Sequence, residues 1–239
     1  MKRQPIVDIV ETLVSRLTFT EEILEAVDNL DGTWTVTLCD IHNLRPCSEF
    51  SIEGVDYEVQ TIGPGETVTF ASTNTIQKGE SLTVPAPKYY HGTLQDVNIQ
   101  LSKEDSVQAM TPMVFLVEHI TEDVNFDRTE SIGRTAPINL LFLDRCEFEE
   151  WNNDERYEYS VTPMYNLEQD FEQVLYNEGG IRDQAITTAS VTYHSKFGEV
   201  IRVGNKNLEF PYETGGVGLR VTLQIDKKGI CGSCDACDC

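Results

Sequence analysis

The chain has 239 residues, 40% of them hydrophobic and 24% charged, enough for one larger folded domain or two small ones with a sizeable core. Its 40 acidic side chains against 18 basic ones leave a formal net charge of -22. Holding nucleic acid by its phosphates takes clustered Lys and Arg and is argued against, whereas a surface of like sign lets a polyanion slide past.

The opening Met1-Lys-Arg-Gln-Pro5 leads into an amphipathic stretch and not into the apolar core of a secretory leader. No run approaches the ~18 apolar residues of a membrane span, so synthesis in a reducing cytosol and no membrane role are expected. The seven cysteines, four of them in the last nine residues, do not read as a secreted disulfide framework.

Ile6, Ile9, Val10, Leu13, Val14 and Leu17 recur at helical spacing, which predicts an amphipathic helix packing one stripe on a sheet, with Pro5 tolerated at its start. Asp31-Gly32 is a turn signal before the alternating Thr33–Leu38, and Ile23–Val27 is expected to pair across it. Short strands follow at Glu49–Glu53, Tyr57–Ile62, Thr67–Ala71 and Ser81–Val84, punctuated by Gly and Pro as in a small β-barrel or sandwich. Lys88–Gly92 and the polar stretch to Met110 read as a connector.

Pro112–Glu118 and Pro137–Asp144 are apolar runs of strand length. They are expected to be adjacent central strands, opened by prolines because proline is excluded from the middle of one. His119–Ala136 is then an acidic loop between them. Asp144 and Glu147 have the spacing of a capping box, predicting a short helix with Phe148 and Trp151. Thr162-Pro163 predicts the start of a clearer helix whose face carries Met164, Leu167, Phe171, Val174 and Leu175, stopped by Gly179-Gly180. Ala189–His194 and Glu199–Val203 read as a hairpin-like pair, and Val217 to Ile225 alternates as a half-exposed strand.

The expected fold class is therefore α+β: a mixed or antiparallel central sheet covered by two or three helices, with an inserted small β-barrel or sandwich module. Residues 1–21 and 92–229 make the main domain, split in sequence, 22–91 the inserted β-rich module, and 230–239 a cysteine-rich tail.

Cys231, Cys234, Cys237 and Cys239 are the candidate metal ligands, four thiols spaced so that they can wrap one tetrahedral zinc. An iron–sulfur cluster would use the same thiolates with little apolar shell to protect it, and an exposed tail that oxidises is the bland reading. Cys39, His42 and Cys47 offer three ligands of a further site, with ordinary loop thiols the simpler explanation. The acids Glu118, Glu122, Asp123, Asp127 and Glu130, and Glu147, Glu149, Glu150, Asp154, Glu155 and Glu158, read as solvated faces and not as paired catalytic carboxylates. His194 and Ser195 are neighbours that a strand would point to opposite faces, so they make no nucleophile–base pair. Gly215-Gly-Val-Gly218 lacks phosphate-loop spacing and reads as a flexible turn or bulge. No catalytic residue is assigned and no enzyme activity is expected.

Several stretches carry a resemblance: the strands Pro112-x-x-Phe115-Leu116 and Ile138-x-Leu140-Leu-Phe142-Leu143, Tyr89-Tyr-His-Gly-Thr93, Val161-Thr-Pro-Met164 and Lys196-Phe-Gly198. Together with the first helix and the closing amphipathic strand, they resemble the tail-terminator and neck proteins of tailed bacteriophages, including structural proteins of phages that infect Bacteroidota. The resemblance covers most of the chain and implies a virion protein that forms a homo-oligomeric ring at the head–tail junction. Such a subunit is assembled in the host cytoplasm, contacts neighbouring neck or tail proteins, and lets DNA pass without specific binding. The inserted β-module and the cysteine tail depart from compact terminators. Two other readings stand beside it: a metal-assisted hydrolase using the acidic loops or the thiols, and a monomeric binding protein whose β-module captures a ligand.

Overall fold

The computed structural model describes residues 4–93, 112–117, 120–124, 132–145, 150–178, 189–197, 201–203, 206–208 and 214–226. They fall into two compact units, one of Leu17–Ala86 and one assembled from the flanking segments Met1–Arg16 and Pro87–Cys239.

The Leu17–Ala86 unit holds seven strands: β1 (Phe19–Glu22), β2 (Glu25–Asp28), β3 (Thr33–Thr37), β4 (Glu49–Ile52), β5 (Val55–Gly63), β6 (Thr67–Ala71) and β7 (Ser81–Val84). All pairings are antiparallel, in the order β1-β7-β4-β5-β6-β3-β2. The two ends of that order are consecutive in the chain. At the junction Ile23 exchanges backbone hydrogen bonds with Glu80 and Gly79 on the β7 side, and the Leu24 N–H reaches Thr37 on the β3 side. The segment thus passes from one end of the order to the other, β1 pairing with β7 and β2 with β3, and the antiparallel sheet curls into a half-barrel. The expected hairpin across Asp31-Gly32 is β2–β3.

Alternation fills the half-barrel: Val36, Phe50, Val59, Val68, Phe70 and Leu82 point inward and are buried. Phe50 and Phe70 meet edge-to-face with ring centroids 5.0 Å apart. Outward positions carry threonines, Thr35 and Thr69 hydrogen-bonding across β3 and β6 at 2.9 Å.

The other unit opens with α1 (Ile6–Val14), whose apolar stripe is buried throughout. Its larger sheet contains β8 (Lys88–Gly92), β9 (Met113–Val117), β10 (Asp123–Val124), β11 (Ile132–Arg145), β12 (Ser190–Phe197) and β15 (Thr214–Asp226). β13 (Ile201–Val203) and β14 (Lys206–Leu208) form a separate pair. The main path runs β12-β15-β11-β9-β8, with β10 alongside β11. β8 and β9 are parallel and the other pairs antiparallel, so the sheet is mixed. Between Asn153 and Asn177 one helix runs unbroken through α2 (Asn153–Arg156), a π turn (Tyr157–Val161) and α3 (Thr162–Asn177). The described residues are thus mostly β with two helical segments, fewer than the upper expectation of three.

Several expectations are corrected. Asp144 lies in β11, and the capping box is Asn152 with Glu155: the Asn152 side chain accepts from the Asp154 and Glu155 N–H groups while Glu155 accepts from the Asn152 N–H. Thr162 is no N-cap, because the helix already passes through it. Lys88–Gly92 is not a connector but a strand, paired with β9 and held to α1 by the Tyr89 hydroxyl donating to the Val7 carbonyl at 3.1 Å. The supposed loop 119–136 contains β10 and the start of β11. Pro137 sits inside the long central strand after all. It falls between the stretch that β10 covers, up to Thr135, and the stretch that β9 covers, from Leu140, so among the described residues no strand on that side calls on its missing N–H. The predicted hairpin of 189–203 does not form either: β12 pairs with β15, and β13 with β14. Gly215–Gly218 is strand, not turn.

The core of this unit lies between the sheet and the helices. Leu140 and Phe142 of β11 and Val217 and Leu219 of β15 are buried on the helix-facing side, where Phe142 meets Phe171 of α3 at 5.6 Å. Buried Arg134 donates to Glu122 at 2.9 Å and to the Gln4 carbonyl, joining β11 to the start of α1. Arg16 and Glu178 form an ion pair between the ends of the two helical segments. Among the described residues no helix is long and apolar enough to cross a membrane.

Candidate functional site

The most unusual chemistry in the described residues sits where α3 packs beside β12. The buried face of α3 is Pro163, Met164, Leu167, Phe171 and Leu175, and Glu168 falls inside that stripe, one turn from Met164. Glu168 is 1% exposed. One of its oxygens, Oε1, is buried without a hydrogen-bond partner, and Glu172 stands beside it on the next turn. Burial first, and then the neighbouring Glu172 charge, push Glu168 from the usual 4.5 up to about 8. The pair therefore keeps a proton near neutrality.

Tyrosines surround it. Tyr165 of α3 and Tyr193 of β12 stand with ring centroids 5.6 Å apart and planes inclined by 50°. Desolvation holds the Tyr193 hydroxyl above its ordinary range, reinforced by the adjoining Tyr165 and by the nearby Glu168 and Tyr157. Tyr193 reaches the helix because it pairs with Val217, the register partner of Phe142, and so shares the helix-facing side of the sheet. Tyr157 comes from the π turn and, like Tyr193, is exposed.

The π turn has a local cause. Pro163 has no N–H to give and its ring would press on the carbonyl one α-helical turn back. The Thr162 N–H bonds instead to the Tyr157 carbonyl, widening the turn just ahead of the proline. The widened turn carries buried Ser160, whose Oγ lies 2.7 Å from where a Cβ on Gly215 would stand. The Ser160 hydroxyl is thus sealed against β15 and is no exposed nucleophile.

The four tail cysteines Cys231, Cys234, Cys237 and Cys239 lie outside the described residues. Cys39 and Cys47 are exposed free thiols, and His42 is engaged elsewhere, stacked on Phe19 at 4.1 Å with Nε2 3.1 Å from a Glu21 carboxylate oxygen. Among the described residues no three His, Cys, Asp or Glu side chains gather as metal ligands. Of the first acidic group, Glu122 is taken by Arg134 and Asp123 is exposed in β10, while Glu118, Asp127 and Glu130 lie outside the described residues. Of the second, Asp154 and Glu155 belong to the first turn of α2, Glu150 and Glu158 are exposed, and Glu147 and Glu149 lie outside. His194 turns to the face opposite Tyr193, its ring over Gly218, and burial lowers its pKa.

Sequence reasoning passed over Glu168, Glu172 and the tyrosines. The signal was present for one of them: an acid at the fourth position after Met164 interrupts an apolar stripe. The tyrosines gave none, since Tyr193 meets Tyr165 only through the pairing of β12 with β15. No protein-family model matches the chain, and no curated protein matches it.

Proposed function

We propose that the chain is a structural subunit of a bacteriophage virion, forming a ring at the neck or the top of the tail and mediating head–tail joining. The observation that supports it best is the surface carried by the second helical segment and β12, where Tyr157, Tyr176 and Tyr193 are 40%, 63% and 49% exposed. Tyrosine offers a large rigid face with a polar tip and is enriched where proteins bind one another. A ring at a junction also meets unlike neighbours along its axis, and such a patch suits one of those contacts. The net charge of -22 suits a channel wall past which DNA slides without being held. In this reading the protein is no enzyme and contributes shape and contacts.

A zinc ion held by Cys231, Cys234, Cys237 and Cys239 belongs to the same reading, as a staple on the tail. Freshly purified chain then carries about one zinc, lost when Cys234 and Cys237 are both changed to Ser. The subunit role is tested by quantitative mass spectrometry of purified particles from a phage encoding the chain. The expected result is several copies per particle at constant ratio to the major tail protein; absence from washed, infectious particles would refute it.

A further inference from the structure

The exposed tyrosines and the carboxyl pair together also indicate what kind of group they receive. Glu172 is partly exposed beside Glu168. Neither carboxyl makes an ion pair with a described residue, and the buried Glu168 Oε1 has no hydrogen-bond donor. Among the described residues this acid pair meets no cation and lies beside tyrosine rings, a setting that suits a positive group with several donors and a flat face.

We propose that Tyr157, Tyr165, Tyr193, Glu168 and Glu172 form a socket for an arginine side chain presented by a different, basic protein of the assembly. A guanidinium forks its donors onto carboxylate oxygens and stacks its plane on an aromatic ring, which an ammonium does less well. At this acidic site a basic partner is favoured over a second copy, because complementary charge has to come from a chain richer in bases than this one, with its 18 bases to 40 acids. Tyrosine and arginine are also the residue types that dominate the energetics of protein interfaces. This inference rests on the reading of the chain as an assembly subunit, but its test needs no particle, so the two fail separately.

The probe is N-acetyl-arginine amide, titrated into the full chain and followed by the NMR signals of the tyrosine rings. N-acetyl-citrulline amide, the neutral near-isostere, is the control. Arginine should bind at least ten-fold tighter than citrulline to the parent. In Glu172→Gln, checked for folding by circular dichroism, arginine should fall to the level of citrulline. Equal binding of arginine and citrulline would overturn the socket, as would arginine binding unchanged in Glu172→Gln, the mark of diffuse attraction to an acidic surface. Self-association of the parent that Glu172→Gln abolishes would make a second copy the occupant and overturn the assignment to a different protein.

Discussion

Leu30 and Glu168 occupy positions that local physics does not favour. Leu30 is at the tip of the β2–β3 hairpin, 90% exposed, with φ at +62°. The tip is tied down: Asp28 accepts from the Leu30 N–H at 2.8 Å, Asp31 accepts from the Thr33 N–H and hydroxyl, and Asn29 donates to Thr33 and Thr35. A left-handed backbone costs an L-residue with a Cβ about 1–2 kcal/mol, and asparagine tolerates it best. Leu30→Asn should therefore stabilise the chain by about 1 kcal/mol in urea denaturation, since no packing is lost. Glu168 acts through pH. Its folded-state pKa lies above its unfolded value, so the folded chain holds the extra proton between about 4.5 and about 8. That contribution is complete below about 4.5 and is lost as pH rises toward 8, by a few kcal/mol in all. Glu168→Gln should flatten the fall of Tm over this window and leave the variant more stable than the parent at pH 8, in thermal melts taken across the range.

Elements with strong periodicity were legible in the sequence, and elements defined by their neighbours were not. The stripe from Ile6 to Leu17 was enough for α1, and the alternation from Val217 to Ile225 for β15, because each residue's environment follows from its own period. The short strands of the half-barrel were readable for the same reason, with Gly54 and Gly65 marking turns at positive φ. Pro137 misled because whether a proline is tolerated in a strand depends on what lies alongside it, and that is decided by where β10 ends and β9 begins. Pro163 misled in a related way, since a π turn accommodates it inside a helix that starts ten residues earlier, at Asn153. Gly216 looked like flexibility and is the reverse. A Cβ there would stand 1.9 Å from the Phe142 carbonyl oxygen, and φ is +154°. Gly216→Ala must push β15 off β11 along their longest pairing, so it should destabilise this unit by about 3 kcal/mol or more. Gly32→Ala, where a Cβ meets nothing within 4 Å, should cost only about 1 kcal/mol in the same denaturation experiment, from its positive φ alone.

The whole chain divides its work between two self-contained cores. The Leu17–Ala86 unit buries its apolar side chains within a curled antiparallel sheet, and the split unit buries its own between a mixed sheet and two helical segments. The polar surplus, 40 acids to 18 bases, is left for the surface. Exposed tyrosines on such a surface favour contact with other proteins, and excess negative charge favours a neighbour that DNA does not stick to. That combination underlies the proposal of a ring subunit at the neck or tail top. Its most direct test is electron cryomicroscopy of intact particles from a phage encoding this chain. The account predicts density for the chain in a closed ring around the DNA channel at the head–tail junction, with the Tyr157–Tyr193 surface against a neighbouring protein. Density placing the chain elsewhere as an isolated copy, with that surface in solvent, would contradict it.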